Sequence, residues 1–377
     1  MVEIKLHPAI SEIPRSLWNG LCGTGNPFLR HEFLECLERS GSVSPENGWQ
    51  PLHITLTEHN QCVGVMPLYL KNHSWGEYVF DWSWADAWER HGLDYYPKLV
   101  TAIPFTPSTG PRFGLAIEPE RALPVLVEAV QQISARYGCS GWHGLFIEPH
   151  LVKDLKALAL STRLGTQYHW FNRNYRSFDD FLEQFSSRKR KNVRKEREKA
   201  LLQGVELITL EGTEITEELL DQFYRFYQTT YLKRGMQGYL TRAFFSLLTE
   251  QMPENLIMVT ARHNHRVIAA ALSLKGEDTL YGRYWGCLEE FDSLHFEACY
   301  YQGIDYCIAN GLQRFDSGAQ GEHKIKRGFE PIETWSAHWV ETPAFRQAID
   351  EFTREEEQQM RGHIRRLSEE LPFRRDR

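Results

Sequence analysis

Two stretches of this 377-residue chain match each other at a fixed offset. Residues 53–71 (HITLTEHNQCVGVMPLYLK) and 257–275 (IMVTARHNHRVIAAALSLK) lie 204 positions apart. They are identical at His59/His263, Asn60/Asn264, Val63/Val267, Leu68/Leu272, Leu70/Leu274 and Lys71/Lys275. Each reads as apolar strand, polar His-Asn turn and apolar strand, the pattern of a β-hairpin. The surroundings repeat as well. An aromatic strand follows each hairpin, at 78–84 (YVFDWSW) and 279–285 (TLYGRYW). A loop and a helix come next, at 119–137 and 296–310, each ending near a glycine, Gly138 or Gly311. A further strand closes each series, at 142–147 (WHGLFI) and 312–315 (LQRF). The order hairpin, strand, helix, strand predicts an α/β (α+β) chain built from two copies of one unit. The length agrees, at roughly 100–200 residues per domain.

The boundary falls between the copies. Residues 168–171 (YHWF) read as the last strand of copy one. Residues 177–185 (SFDDFLEQF) start a helix with Asp179 and Asp180 near its positive end. A basic helix follows and runs to Gly204; 205–210 is a strand, and 217–231 and 242–251 are amphipathic helices. The tail opens on Thr342-Pro343, and Phe345, Ala348, Ile349 and Phe352 keep helical spacing. The expected domains are 1–175, 176–341 beginning with the basic helix, and a helical tail at 342–377.

Charge is unevenly placed. The 43 basic and 50 acidic residues leave a net −7. Residues 188–199 (RKRKNVRKEREK) hold eight Arg/Lys and two Glu, a local +6 on a body of −13. Net charge alone argues against a polyanionic partner; its placement argues for one at this strip. A charged fraction of 25% against 42% hydrophobic excludes general disorder. The longest apolar run, 267–274, is far short of a membrane span, and the N-terminus lacks a signal-peptide pattern. Seven cysteines form no CxxC pair, which fits a reducing cytoplasm and neither a disulfide framework nor a thiolate zinc site. Glu322-His323 has no partner at ligand spacing, so no metal site is expected.

Several segments carry a family resemblance. Residues 187–204 (SRKRKNVRKEREKALLQG) before a strand resemble the basic helix "K-x-R-R-N-x-R-K…G" of Fem-type acyltransferases, which opens their second domain. Residues 311–318 (GLQRFDSG) resemble the family's "GL-x-x-FD-x-G", and 325–329 (IKRGF) its "FK-x-GF". Segments 26–42 and 77–88 extend the likeness over nearly the full length, to the FemAB-like subgroup of predicted N-acyltransferases or peptidoglycan biosynthesis/recognition proteins. The resemblance implies two tandem domains of the GCN5-related N-acetyltransferase (GNAT) fold with mixed sheets. It also implies transfer of an acyl or aminoacyl group to an amine. Characterised Fem members use aminoacyl-tRNA; the wider fold uses acyl-CoA. Either co-substrate remains open, and no resident cofactor is expected.

N-acyl transfer needs a deprotonated amine, donors for the tetrahedral oxyanion, and two substrates held together. It needs no covalent nucleophile. In copy two, 287–295 (CLEEFDSLH) has no Gly and three acids, so it repels a CoA pyrophosphate. In copy one, 105–114 (FTPSTGPRFG), with Gly110, Arg112 and Gly114, comes closer to an anion loop, though an ordinary Pro-Gly loop accounts for it as well. On the basic helix, Arg190, Arg194 and Arg197 share a stripe, with Lys191 and Lys195 on the next. A polyanion (tRNA, CoA or a nucleotide-linked precursor) would relieve that repulsion; a solvated helix compensated by Glu196 and Glu198 is the alternative.

The expected catalytic group is Asp316, His323, Lys324 and Lys326. Asp316 would orient or deprotonate an amine, and His323 has a suitable pKa for a base. Either lysine would stabilise the oxyanion or hold a carboxylate; the resemblance assigns the family's lysine to Lys326. Tyr284, Trp285, Gly286, Gly318 and Arg327 would line the opening where strands part. In copy one, Asp81, Trp82, Trp84, Asp86, Glu89 and His91 would receive the acceptor, or form a capped structural loop. The expected function is Fem-like N-acyl transfer linked to cell-wall peptide precursors. Alternatives are acyl-CoA-dependent acetylation of a small amine and non-catalytic binding of nucleic acid or cell-wall precursor.

Overall fold

A computed structural model describes residues 2–319 and 321–374. The chain divides into two compact units. The first comprises Met1–Thr166 and Glu333–His363, the second Gln167–Ile332 and Ile364–Arg377. The expected contiguous division at 175 and 341 is therefore replaced by an interleaved one.

In the first unit, β1 (Val2–His7), β3 (His53–Glu58), β4 (Gln61–Met66) and β7 (Gly114–Leu115) form a four-stranded sheet. A second sheet runs in the order β2 (Trp49–Pro51), β5 (Tyr69–Lys71), β6 (Lys98–Thr101), β8 (Gly141–Ile147), β15 (Glu330–Val340) and β9 (Ser161–Phe171), of which the first unit holds 333–340 and 161–166. Strands β6 and β8 are parallel, joined by a right-sized crossover through α4 (Pro119–Tyr137). Helices α1 (Arg15–Cys22) and α2 (His31–Arg39) lie between β1 and β2; α3 (Trp82–Arg90) and α5 (Val152–Ala157) also lie between strands.

The aromatic strand expected at 78–84 is absent. Trp84 and Trp88 follow helical rather than alternating spacing. Both bury on one side of α3 against Tyr95, Val340 and Ile349. The strand of that position is β6 instead.

The second unit orders its sheet β10 (Val205–Glu211), β11 (Leu256–His263), β12 (Arg266–Lys275), β13 (Thr279–Cys287), β14 (Arg314–Asp316), then residues 167–171 of β9. The first four strands are antiparallel neighbours; β13 and β14 are parallel. Helices α6 (Phe178–Glu183), α7 (Ser187–Leu202), α8 (Glu217–Leu232) and α9 (Arg242–Gln251) fall where the sequence places them. Ser177, Thr216 and Thr241 cap α6, α8 and α9 by accepting backbone N–H bonds. The crossover helix is α10 (Leu294–Phe296), a π-helical turn Glu297–Tyr301, and α11 (Gln302–Ala309). Its core is aromatic, with Trp170, Phe181, Phe185, Tyr301, Phe315 and Phe329 buried together. The tail is α12 (Pro343–Glu369).

The duplicated hairpins are present, with one shift. Their left-handed turn residues are His59-Asn60 and Asn264-His265, so the turns are 205 positions apart although the matching letters are 204 apart. Both units carry the expected GNAT-like order of antiparallel strands leading to a parallel pair joined by a helix. Among the described residues no helix is long and apolar enough to cross a membrane.

Candidate active site

The second unit places its chemistry where two parallel strands part. Strands β13 and β14 pair only over Thr279–Tyr281 and Arg314–Asp316. Just beyond lies a cavity of about 120 Å³, lined by Ala271, Leu272 and Ser273 of β12, residues 282–285 of β13, His295, Cys299, Tyr300 and Ser317. The β12–β13 register shifts at Leu272/Ser273, which loosens the sheet at this point.

At the polar end, Arg283 grips Asp316. Its Nη2 donates to Oδ2 at 2.6 Å and its Nη1 to Oδ1 at 3.1 Å. The Gly318 N–H donates to Oδ1 at 2.9 Å. Burial alone would raise the Asp316 carboxyl; Arg283 outweighs it and holds the group well below the usual carboxylate range. Asp316 thus stays an anion and fixes the turn, and it cannot take a proton from an amine. His169 faces it at 3.6 Å, with its pKa pulled down by burial to about 4, so it is neutral.

Lys324 lies under the same turn. Its Nζ donates to the carbonyls of Ser317 at 3.0 Å and Gly318 at 2.8 Å. Burial brings its pKa down to about 8, against the opposing pull of Asp316. Lys326 is exposed and turns toward α7, where it shares a small depression with Lys189, Asn192 and Glu196. The two lysines left open by the sequence therefore serve different places: Lys324 the turn at 316–318, Lys326 the basic helix.

His323 accepts or donates at 3.0 Å with the Tyr300 hydroxyl. Burial, Arg327 and Lys324 lower its pKa, so it is a neutral base at pH 7. Tyr300 itself lines the cavity, and so connects the reacting space to His323. The Ser317 hydroxyl is buried without a hydrogen-bond partner, close enough to line the same space. Tyr300, Ser317, Arg283, His169, His295 and Cys299 were not singled out by the sequence. Arg283, His169, His295 and Ser317 lie inside quoted segments, and Cys299 and Tyr300 in the helix expected at 296–310, but only strand alternation and the π turn decide which way such residues face.

Several expected substrate contacts prove structural. Arg327 is locked bidentate to Glu196 at 2.9 and 3.1 Å and stacks 3.5 Å over Phe296. Arg197 is held by Glu297 and Asp305 and stacks over Phe178, and Arg194 pairs with Asp179. Of the expected stripe, Arg190 forms no ion pair among the described residues. Among the described residues the cations of α7 that carry no ion pair are Arg188, Lys189, Arg190, Lys191 and Lys195. Tyr284 is buried against Tyr227 and Phe245, with one edge on the cavity, and Trp285 lines it. Gly318 is left-handed and closes the turn. The acidic loop after β13 is neutralised in part: Lys233 pairs with Glu290 and Lys199 with Asp292.

The first unit's candidates divide in the same way. Arg112 is fully buried and donates to the carbonyls of Leu145, Ser108 and Gly110, so it braces loops and binds no phosphate. Asp81 is buried in a network with Lys98, which also meets Glu77 and Ser74 at 2.8 Å. Tyr95 donates to Asp81 at 2.6 Å, and its hydroxyl lies 3.3 Å from His143, which meets His338 at 2.7 Å. Trp84 is in the core, whereas Trp82 is 38% exposed and Asp86, Glu89 and His91 are on the surface. The buried network leaves Asp81 no opening to an acceptor. Among the described residues no group of three or more His, Cys, Asp and Glu could hold a metal.

Fold and site define a tandem GNAT-like protein with its cavity in the second unit. The chain belongs to the FemAB-like family, described as peptidoglycan biosynthesis/recognition, whose model matches residues 9–375. FemX is a similar solved structure, at TM-score 0.55 and 13% identity over 92% of this chain and all of that one. The C-terminal domain of a putative lysylphosphatidylglycerol synthetase from Agrobacterium fabrum matches at TM-score 0.55 and 9% identity, covering 90% of this chain and 94% of that one. L-PGS from Bacillus licheniformis matches at TM-score 0.50 and 10% identity, over 88% and 98%. At these identities the likeness is one of fold. No curated protein matches significantly.

Proposed function

We propose that this chain is a Fem-like N-acyltransferase that moves an acyl or aminoacyl group onto an amine in cell-wall peptide precursors. The observation that carries the reading is the cavity between parted strands, with Tyr300 on its wall and the exposed His323 hydrogen-bonded to the Tyr300 hydroxyl. The amine nitrogen attacks the acyl carbonyl, and the carbonyl–carrier bond breaks. The amine proton passes by way of the Tyr300 hydroxyl to His323, which returns a proton by the same route to the leaving oxygen or sulfur. Ser317 is placed to donate to the oxyanion, while Lys324 and Asp316 hold the turn that carries it.

The donor's carrier is proposed to be polyanionic and to bind at α7. Five unpaired cations there, with Lys326 beside Lys189, support this, and the glycine-free acidic loop after β13 favours aminoacyl-tRNA over acyl-CoA. A cytoplasmic location follows from that choice of donor.

The test is binding of purified protein to tRNA and to an acyl-CoA panel at two salt concentrations, with transfer to a peptide amine measured alongside. Salt-sensitive tRNA binding that drops at least tenfold in K189E/K191E supports the reading. Tight, salt-insensitive CoA binding without RNA binding overturns the choice of donor. Transfer left intact in both Tyr300→Phe and His323→Ala overturns the site.

A further inference from the structure

The cavity has two chemically different ends. Arg283 and Ser317 mark one, where the turn after β14 begins. The other is the less polar: Cys299 and Trp285 pack there against buried Val259, Ala271 and Ala298, with the His295 ring 5.5 Å from that of Trp285. An acyl group bound with its carbonyl at the polar end must run its chain toward Cys299.

Cys299 reaches the cavity because of the π turn. The extra residue at Glu297–Tyr301 rotates the helix between Phe296 and Gln302. The turn is pinned from its far side, where buried Glu297 receives Arg197 at 2.9 and 3.1 Å and Gln302 at 2.8 Å. The Cys299 thiol is therefore held at the cavity end. Burial pushes its pKa up, so it stays a neutral, unreactive thiol. Its part is to occupy space.

Space is scarce. An apolar cavity of about 150 Å³ holds one benzene ring. At about 120 Å³ this one takes roughly four or five chain atoms.

We propose that the cavity accepts a short acyl group, with or without an α-amino substituent, whose carbon chain is unbranched and about four carbons long, and that Cys299 is the residue that sets this length. The inference rests on the acyl-transfer reading above. It is tested without any donor carrier, using straight-chain primary amides from acetamide to octanamide. The protein is labelled with 5-fluorotryptophan, and the ¹⁹F resonance of Trp285, assigned by its loss in Trp285→Phe, is titrated.

Affinity should rise about fourfold per methylene up to four or five carbons and then stop rising. Cys299→Ala should move the break outward by about one carbon, and Cys299→Met should move it inward; the dispersion of the other fluorotryptophan resonances reports that each variant is folded. A rise continuing to octanamide, a break unmoved in both folded variants, or no response at Trp285 overturns the proposal. Amides that bind with the expected break to a protein with no transferase activity would overturn the function and leave the length limit standing.

Discussion

Asp316 and Lys324 show how far residue type alone misleads. An acid and a lysine next to a histidine invite roles as base and oxyanion donor. In place, Asp316 is clamped by Arg283 and Lys324 by two carbonyls, so both act by holding the 316–318 turn. Arg283→Ala leaves a buried carboxylate without its partner, which costs about 3–5 kcal/mol. Chemical denaturation should show that loss, and Arg283→Ala with Asp316→Asn should recover part of it. Lys324 gives a pH test of opposite character. Its folded pKa of about 8 lies below the ordinary 10.5. Between those values the unfolded chain holds a proton that the folded chain has lost, so stability rises with pH across this window, by roughly 3 kcal/mol in full. Lys324→Met should flatten that rise between pH 7.5 and 9.5. On the proposed mechanism His323 would act on turnover rather than folding. Its lowered pKa puts the acid limb of the rate profile below pH 6.5, with activity rising as the group loses its proton. His323→Gln should abolish that limb.

Elements with a strong local signal are legible in the sequence. The helix α4 runs over the residues its caps and pattern indicate, and α7 ends as Gly204 suggests. What failed was a choice between periods. Residues 78–84 alternate aromatics like a strand, but Trp84 and Trp88 are four apart and bury together, so packing selects α3. The π turn left no mark in composition, and with it Tyr300 and Cys299 stayed hidden. Opposite charges on α7 misled in another way: Arg194 and Arg197 look like their free neighbours until Asp179, Glu297 and Asp305 arrive from distant sequence. Element packing makes its own prediction at β13 and α8. A Cβ on Gly286 would sit 2.1 Å from the backbone carbonyl carbon of Phe226, and backbone cannot step aside. Gly286→Ala should force α8 off β13 and cost about 1–3 kcal/mol. A denaturation midpoint unchanged from wild type would show that the two elements slide freely.

At the scale of the molecule, the duplication is deeper than matching letters. In each unit the parallel pair and the strand beside it carry a buried polar couple at one sheet position. Tyr281 registers with Asp316 and Asp316 with His169; Val100 registers with His143 and His143 with His338. Among the described residues the Asp316–His169 couple sits beside a cavity, whereas His143–His338 lies in a buried network. The interleaving was not legible, because no local pattern says which sheet a strand will join. It has a direct consequence for folding. Residues 333–340 of β15 stand between β8 and β9 in the first unit, and Val340 and Ile349 complete the cluster around Trp84 and Trp88. A fragment of residues 1–175 lacks all of these, leaving an unpaired β8 edge and bared tryptophans. It should aggregate or unfold without cooperativity. Residues 1–166 joined to 333–363 by a flexible Gly/Ser linker should unfold in one cooperative transition, followed by circular dichroism and tryptophan fluorescence. Cooperative unfolding of the 1–175 fragment with coincident transitions in both signals would mean that the first unit does not need its returning strand.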